Sequence, residues 1–280
     1  MATISLCMIV KNESAVLARC LDSIADLMDE IIIVDTGSTD NTKEIAAQYT
    51  SRIYDFKWAS DFSAARNFSF SKATMEYIYT ADADEILDDA NRERFLRLKD
   101  ALLPEIEIVQ MKYVTQGTFD TVLNAKKEYR PKLFRRLRTF TWIDPIHETV
   151  RLTPVTFDSD VEILHCPQSL HSKRDFSIFI KAFEHDGQFS PKIRTMYAKE
   201  LLKTGDKKDF TDAKPIFQLI FDNDPADDAR KEAACVLARI YRMEDNKNEF
   251  FKLTMKDMLT TPCAETVSYT HLRAHETKAN

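Results

Sequence analysis

Two apolar segments of the chain end abruptly in carboxylates. Residues 31–34 are followed by Asp35, and residues 77–80 are followed closely by Asp82 and Asp84. In open parallel sheets, ligands bind just beyond the carboxyl ends of the strands, so these acids are predicted to face a crevice. Asp35 could accept hydrogen bonds there from a nucleobase imide or a ribose hydroxyl. The alternative is that Asp35 only caps the turn that follows it.

Asp82 and Asp84 form an Asp-x-Asp (DxD) motif, which supplies carboxylate oxygens from neighbouring positions. Mg²⁺ and Mn²⁺ bind such oxygens together with substrate phosphates. A cation held there would stabilise the negative charge that develops on a departing diphosphate. The alternative is a solvated acidic loop, because Glu85, Asp88 and Asp89 continue the acidic run into a predicted helix whose N-terminus favours negative charge.

The elements that position these acids alternate between short β-type segments and helical patterns. This order is typical of repeated βαβ units, and it predicts an α/β fold with a mostly parallel sheet flanked by helices. Predicted strands cover 4–10, 31–34, 52–56, 77–80 and 106–113, and predicted helices cover 14–28, 45–49, 64–73 and 91–102. An antiparallel extension with an irregular loop is expected over 132–165. Beyond Asp175 only helical spacing remains, which predicts an all-α segment of stacked helical hairpins.

Composition restricts the function classes. The chain has 280 residues, enough for a large α/β domain and a smaller appendage, and it is 44% hydrophobic and 30% charged. A net charge of −6 makes nucleic acid an unexpected partner. With only 4 glycines, a bound anion is expected to be held by a metal or by side chains rather than by a glycine-rich loop. The 5 scattered cysteines are interpreted as reduced thiols of a cytoplasmic protein, and the apolar start as a strand, with no transmembrane segment.

Four motifs in order resemble family 2 glycosyltransferases of the GT-A fold. They are residues 5–13, 34–42, 62–67 and 82–85. Several ordered motifs in one chain are far more specific than any single motif. The resemblance implies an enzyme that transfers a sugar from a nucleoside-diphosphate sugar, expected to be UDP-linked, with inversion and with Mn²⁺ or Mg²⁺ as cofactor.

The resemblance also implies residue roles. The implied nucleotide-sugar-binding residues are Asp35, Arg66, Asp82, Lys11 and Glu13. Asp84 and Asp82 would bind the metal, and His165 would complete its ligands. A guanidinium near the start of a helix suits an anionic nucleotide, although Arg66 could also be an ordinary surface arginine. His165 could instead be a hydrogen-bonded structural residue at the end of a strand.

A further pair, His147 and Glu148, resembles a His-Glu pair that a subgroup of these enzymes carries after the sheet. Inverting transfer needs a base that takes the proton from the acceptor as it attacks the anomeric carbon. Glu148 is the first candidate for this base and His147 the second. The two residues could also be a structural pair at the edge of a strand.

The predicted domains are residues 1–170, a GT-A-like catalytic domain, and 171–265, a helical segment that resembles tetratricopeptide repeats. Residues 266–280 lack amphipathic spacing and are interpreted as a non-native tail on a chain that naturally continues. The helical segment could bind an acceptor protein, mediate dimerisation or only cover a sheet edge. The expected acceptor is a glycan, a lipid-linked sugar or a peptide. A non-catalytic scaffold and a metal-dependent nucleotidyltransferase remain alternatives.

Overall fold

A computed structural model describes residues 1–115, 127–136, 142–143, 146, 149–150, 155–166 and 172–260. The chain divides into two compact units, Met1–Leu170 and His171–Asn280. Within the described part of the chain, no helix combines the length and the apolar character that crossing a bilayer requires.

The first unit is built on an eight-stranded mixed sheet with the order β3-β2-β1-β4-β7-β6-β10-β5, next to a short β8-β9 hairpin. The strands are β1 Ile4–Val10, β2 Glu30–Asp35, β3 Ile53–Asp55, β4 Tyr77–Thr80, β5 Glu85–Ile86, β6 Ile108–Thr115, β7 Lys127–Arg135, β8 Trp142–Ile143, β9 Thr149–Val150 and β10 Thr156–His165. The helices of this unit are α1 Leu17–Ile24, α2 Thr42–Ala46, α3 Phe62–Lys72 and α4 Asp89–Ala101.

The core of the first unit lies mainly on one face of the sheet. Leu6 and Met8 of β1 and Leu17 and Leu21 of α1 are fully buried there, together with Phe95 of α4. The central strand β1 is apolar at almost every position because it is covered on both faces, as strands inside parallel sheets are. Helical connections return the chain between β1, β2 and β4, so these strands run in parallel and end at the same edge of the sheet.

Two sequence predictions about this unit need correction. The helix predicted over 14–28 is shorter: α1 covers Leu17–Ile24, and a 3-10 turn follows at Ala25–Leu27. Residues 14–16 instead form a turn, in which the backbone N–H groups of Val16 and Leu17 both donate to the carbonyl of Glu13. The extension over 132–165 is only partly antiparallel. β7 runs antiparallel to β4 and β6, whereas β10 returns through a long connection and pairs in parallel with β6.

The described part of the second unit is helical. Its helices are α5 Ser172–Asp186, α6 Pro191–Thr204, α7 Lys207–Asn223, α8 Asp227–Met243 and α9 Lys247–Thr260. Residues 261–280, which include the predicted tail, lie outside the described residues. Tyr197 of α6 stacks on Phe179 of α5 and packs against Phe217 of α7, so aromatic side chains form the centre of this unit.

Candidate active site

The candidate site lies at the edge where the parallel strands end. β1 pairs in parallel with β2 and with β4, and Val10 lies opposite Asp35 in the register. Because β7 is antiparallel to both β4 and β6, and β10 is parallel to β6, the end of β10 points the same way. Neighbouring strands are about 4.8 Å apart, so β2 and β4, which flank β1, run about 10 Å from each other. Asp35, the Asp82–Asp84 loop and His165 therefore share one edge.

Asp35 uses its two carboxylate oxygens differently. Its Oδ1 accepts hydrogen bonds from the backbone N–H groups of Gly37 and Ser38, each at 2.9 Å. Gly37 has a φ of 103°, a conformation that side-chain-bearing residues rarely adopt. The other oxygen, Oδ2, is buried and has no hydrogen-bond partner among the residues that the structure describes. Asp35 thus caps the turn with one oxygen, as the alternative interpretation expects, and its role in binding a nucleotide stays a prediction.

The loop after β1 is tied to the loop after β2. Asn12 donates its backbone N–H to Ser38 Oγ at 2.9 Å, and its side-chain Oδ1 accepts from the backbone N–H of Thr39 at 2.7 Å. Asn12 has a φ of 56°, which asparagine tolerates better than most residues. Lys11 is exposed beside it, and Glu13 is half-buried. The sequence did not single out Asn12, although an asparagine next to a strand end is a common signal for such a turn.

Asp82 faces a positively charged neighbourhood. The guanidinium of Arg66, on α3, lies 4.0 Å from Asp82 Oδ1, and the Arg66 side chain is only 11% exposed. Arg66 is therefore largely covered, unlike the surface arginine of the alternative interpretation. Desolvation opposes ionisation of Asp82, but Lys132, Arg66 and Arg130 outweigh it and lower the pKa of Asp82 below its usual value. Asp82 is 53% exposed, so an ionised oxygen is accessible from the solvent side.

Asp84 and His165 form a pair. His165 Nε2 lies 2.9 Å from Asp84 Oδ2, and the side chains are 24% and 15% exposed. The strand pairing explains the contact, because His165 of β10 lies opposite Glu85 of β5, the residue after Asp84. The other ring nitrogen, Nδ1, is buried and has no hydrogen-bond partner in the described part of the chain. The His165 ring packs on Tyr113, with centroids 5.0 Å apart, which fixes the plane of the imidazole.

These groups are suited to a divalent cation that is shared with a substrate. Among the described residues, no group of three or more His, Cys, Asp or Glu side chains is close enough to hold an ion. Asp84 and His165 offer one oxygen and one nitrogen, and Asp82 lies two residues from Asp84. Mg²⁺ and Mn²⁺ commonly bind through one or two carboxylates and complete their coordination with waters and phosphate oxygens. The donor set therefore fits such an ion in the presence of a diphosphate.

Glu85 and Lys132 are buried directly behind the acidic loop. Lys132 Nζ lies 2.5 Å from Glu85 Oε1, and the side chains are 7% and 2% exposed. Burial raises the pKa of Glu85, against the opposing effect of the Lys132 ammonium. In the sequence Glu85 is one more acid of the motif, and nothing in the spacing of Lys132 links the two. The predicted base residues His147 and Glu148 lie outside the described residues.

The mixed sheet, with acids beyond the ends of its parallel strands, is a GT-A-type fold. The family model for Glycosyl transferase family 2 matches residues 5–153. This match covers more than half of the chain, and the protein belongs to that family. The resemblance identified from the four motifs is thereby confirmed.

Individual relatives match only parts of the chain. A TPR repeat-containing protein from Synechococcus elongatus is 49% identical over 87 residues, 31% of this chain and 22% of the relative. The SPbeta prophage-derived glycosyltransferase SunS from Bacillus subtilis is 33% identical over 132 residues, 46% of this chain and 31% of the relative. The chain thus spans less than a third of the length of these two curated relatives. Among solved structures, glucosyl-3-phosphoglycerate synthase from Mycobacterium tuberculosis, in complex with Mn²⁺, UDP-glucose and phosphoglyceric acid, aligns with a TM-score of 0.48 and 19% identity, covering 68% of this chain and 82% of that one.

Proposed function

We propose that this protein is a metal-dependent, inverting glycosyltransferase that uses a nucleoside-diphosphate sugar, with UDP as the expected nucleotide. The observation that carries the proposal is the shared strand edge. There Asp35 Oδ2 and His165 Nδ1 are buried without hydrogen-bond partners among the described residues, and Asp82 and Asp84 follow β4. Buried polar atoms are almost always hydrogen-bonded in folded proteins. Unpaired ones that flank a row of acids therefore favour a polar ligand at this edge.

In this proposal, the nucleoside binds at the Asp35 side of the edge. Asp35 Oδ2 is an acceptor, so it matches the ring N–H of uracil or a ribose hydroxyl. The capping bonds to Gly37 and Ser38 hold the carboxylate in place without using this oxygen. Lys11 and Glu13, which emerge beside it from β1, would line the same end of the donor site. Arg66 would contact the phosphates and Asp82 the ribose.

The diphosphate is proposed to lie between Arg66 and the Asp84–His165 pair. Asp84, Asp82 and His165 would hold Mn²⁺ or Mg²⁺, which supplies Lewis-acid stabilisation of the leaving diphosphate. The hydrogen bond between Asp84 and His165 keeps the two side chains close together before an ion binds. Arg66 adds a second positive charge on the side of Asp82.

The chemical step would be a direct displacement. The acceptor oxygen or other nucleophile attacks the anomeric carbon, the bond from that carbon to the diphosphate oxygen breaks, and a base takes the acceptor proton. Glu148 remains the first candidate for the base and His147 the second, on the strength of the family resemblance. A glycan, a lipid-linked sugar or a peptide is the proposed class of acceptor. The helical unit is proposed to be a tetratricopeptide-like segment that docks an acceptor or a second subunit, in a cytoplasmic protein.

The experiment that tests this proposal is a thermal-shift panel. UDP, GDP, CDP and dTDP sugars are each added with Mn²⁺ and, as a control, with a chelator. A ligand at 100 times its Kd stabilises the native state by about 2.7 kcal/mol, so a cognate donor is expected to raise the melting temperature by several degrees. The rise should require the metal and should be largest for UDP sugars. If no donor produces a metal-dependent rise, the proposal is wrong.

A further inference from the structure

Behind the acidic loop lies an ion pair whose partners are both buried. Glu85 is 2% exposed and Lys132 is 7% exposed, and the ammonium lies 2.5 Å from Glu85 Oε1. Removing two charges from water is costly, and an isolated buried pair often stabilises a fold no better than apolar residues would. Its position directly under Asp82 and Asp84 suggests a positioning role.

Glu85 holds the loop through its backbone and its side chain. Its Oε2 accepts a hydrogen bond from the backbone N–H of Asp82 at 3.3 Å, and its own N–H donates to the carbonyl of Asp82 at 3.1 Å. Glu85 also pairs with His165 across β5 and β10, and Cys166 N–H donates to the Asp84 carbonyl at 2.9 Å. One residue therefore connects Asp82, Asp84 and His165.

Lys132 reaches Glu85 because of an irregularity in β7. In the pairing with β6, Leu133 lies opposite Val109 and Pro131 lies opposite Gln110. Lys132 is therefore an extra residue of β7 that has no opposite residue on β6. Strict alternation would place Lys132 on the opposite face from Leu133, which is part of the main core. Its ammonium instead lies 5.6 Å from the ring of Tyr113 and within bonding distance of Glu85. A bulge next to a site commonly redirects a side chain in this way.

We propose that Glu85 and Lys132 are positioning residues that hold Asp82 and Asp84 in the geometry required for binding the metal-diphosphate unit. Neither side chain needs to contact the ligand, since Glu85 acts through the backbone of Asp82 and Lys132 acts through Glu85. This inference rests on the proposed function, because it concerns the same nucleotide site. It predicts that losing the pair weakens the metal-dependent part of nucleotide binding and leaves the Asp35 side of the site intact.

The test is calorimetric titration of UDP in the presence of Mn²⁺ and in the presence of a chelator. The Kd with chelator divided by the Kd with Mn²⁺ measures how much the metal strengthens binding. In Lys132→Met this ratio is expected to fall about tenfold or more, the range found when groups that orient metal ligands are lost. The Kd without metal should change by less than about twofold, because the Asp35 contact remains. The double variant Lys132→Met/Glu85→Gln removes both charges and keeps an acceptor at position 85. It provides the same measurement if the single variant does not fold, and its ratio is also expected to fall because the Lys132 anchor is absent.

Lys99→Met is the matched control. Lys99 is another buried lysine of the same unit, paired with Asp29 at 2.7 Å, but it lies near the opposite ends of β1 and β2. Its loss should lower the melting temperature without altering the ratio of Kd values. A ratio within twofold of the wild-type value in the Lys132 variants, or an equal fall in Lys99→Met, would overturn the positioning role alone. If the wild-type protein itself shows no Mn²⁺-dependent binding of UDP, the proposed function fails and the positioning role fails with it.

Discussion

Buried polar groups are paired to different extents at the strand edge of the first unit and in the helical centre of the second unit. At the edge, Asp35 Oδ2 and His165 Nδ1 are buried without hydrogen-bond partners among the described residues, and the His165 ring also contacts Asp84. In the second unit, the largely buried guanidinium of Arg194 is paired with Glu232 at 2.8 Å. The charged groups of one region keep unused hydrogen-bonding capacity, whereas this arginine of the other region is paired within the fold.

The surroundings of an unpaired atom decide what it indicates. The hydroxyl of Tyr197 in the second unit is also buried without a hydrogen-bond partner among the described residues. Tyr197 lies inside a helix rather than at a strand end, however, and its ring centroid is 4.7 Å from that of Phe179 and 5.3 Å from that of Phe217. An unsatisfied buried group costs about 1–3 kcal/mol. We interpret that cost as part of a binding site at the strand edge, and as a consequence of aromatic packing in the helical unit.

The largest effect that would sharpen this contrast is expected from Asp84→Asn. An amide in place of the carboxylate removes the charge that attracts the metal, so donor turnover should fall about a thousandfold, the equivalent of roughly 4 kcal/mol of transition-state stabilisation. The measurement is UDP release from the donor sugar selected by the thermal-shift panel. Asp89→Asn, an exposed acid of the same run, is the control and should retain activity. Equal losses of activity in both variants would mean that the total negative charge of the acidic run, rather than a metal ligand at position 84, supports turnover.

Asp35→Asn is expected to have the second largest effect. The amide oxygen can still cap the turn through Gly37 and Ser38, but its NH₂ group cannot accept a hydrogen bond where Oδ2 now lies. A hydrogen bond to a charged group contributes about 1.5–3 kcal/mol, so KM for the UDP sugar should rise about 10- to 100-fold while kcat changes less. Steady-state kinetics measures both constants.

The control for this variant is Asp55→Asn, at the end of the neighbouring strand β3. Asp55 lies opposite Asp35 in the register and is paired with Lys43 on the surface. Its replacement should leave KM unchanged within about twofold, since exposed ion pairs contribute little. An unchanged KM in Asp35→Asn would contradict the proposal that the Asp35 carboxylate binds the donor at the strand edge.

Arg194→Met tests the opposite side of the comparison, with a smaller effect and on stability only. The change removes the cation paired with Glu232, which keeps its hydrogen bond from the Thr195 hydroxyl, and Asp224 lies 3.9 Å from the same guanidinium. We expect a loss of about 2 kcal/mol in the free energy of unfolding, below the value for a fully buried pair because both acids are partly exposed. Urea denaturation measures the loss, and titration with UDP and Mn²⁺ should give the wild-type Kd. A weaker Kd would show that the helical unit also supports the donor site.

The smallest effect is expected from Tyr197→Phe. Removing a hydroxyl that has no partner eliminates an unsatisfied group without changing the ring stack, so stability should change by less than about 1 kcal/mol, in the stabilising direction. Thermal denaturation detects a shift of this size. A marked destabilisation would contradict the view that this hydroxyl is only a consequence of packing.

Local sequence patterns predicted the strand ends that matter. The predicted bounds of 4–10 and 77–80 agree with β1 and β4, and the Glycosyl transferase family 2 resemblance is confirmed by the family match. Periodicity indicates which residues are buried, but strand partners depend on contacts between distant segments. For that reason the parallel pairing of β10 with β6 was not predicted.

The candidate site was predictable where function depends on residue type and not where it depends on register. Asp82, Asp84 and His165 were singled out in the sequence, and the structure brings Asp84 and His165 together. Lys132 carried no signal, because its approach to Glu85 depends on one extra residue in a strand pairing. The roles assigned to His147 and Glu148 stay predictions, as do the ligand roles of the described residues.

The hydrogen bonds that tie Asn12 to Ser38 and Thr39 have a kinetic consequence. Together with the bonds from the Glu13 N–H to Thr42 and from the Ser14 N–H to Asp40, they tie the two loops to each other through the protein's own groups. A nucleoside arriving at Asp35 would meet a rigid surface, so association should lose little conformational entropy and proceed in a single fast phase. Any slow conformational change during turnover would then arise elsewhere in the protein than at the Asp35 side of the strand edge.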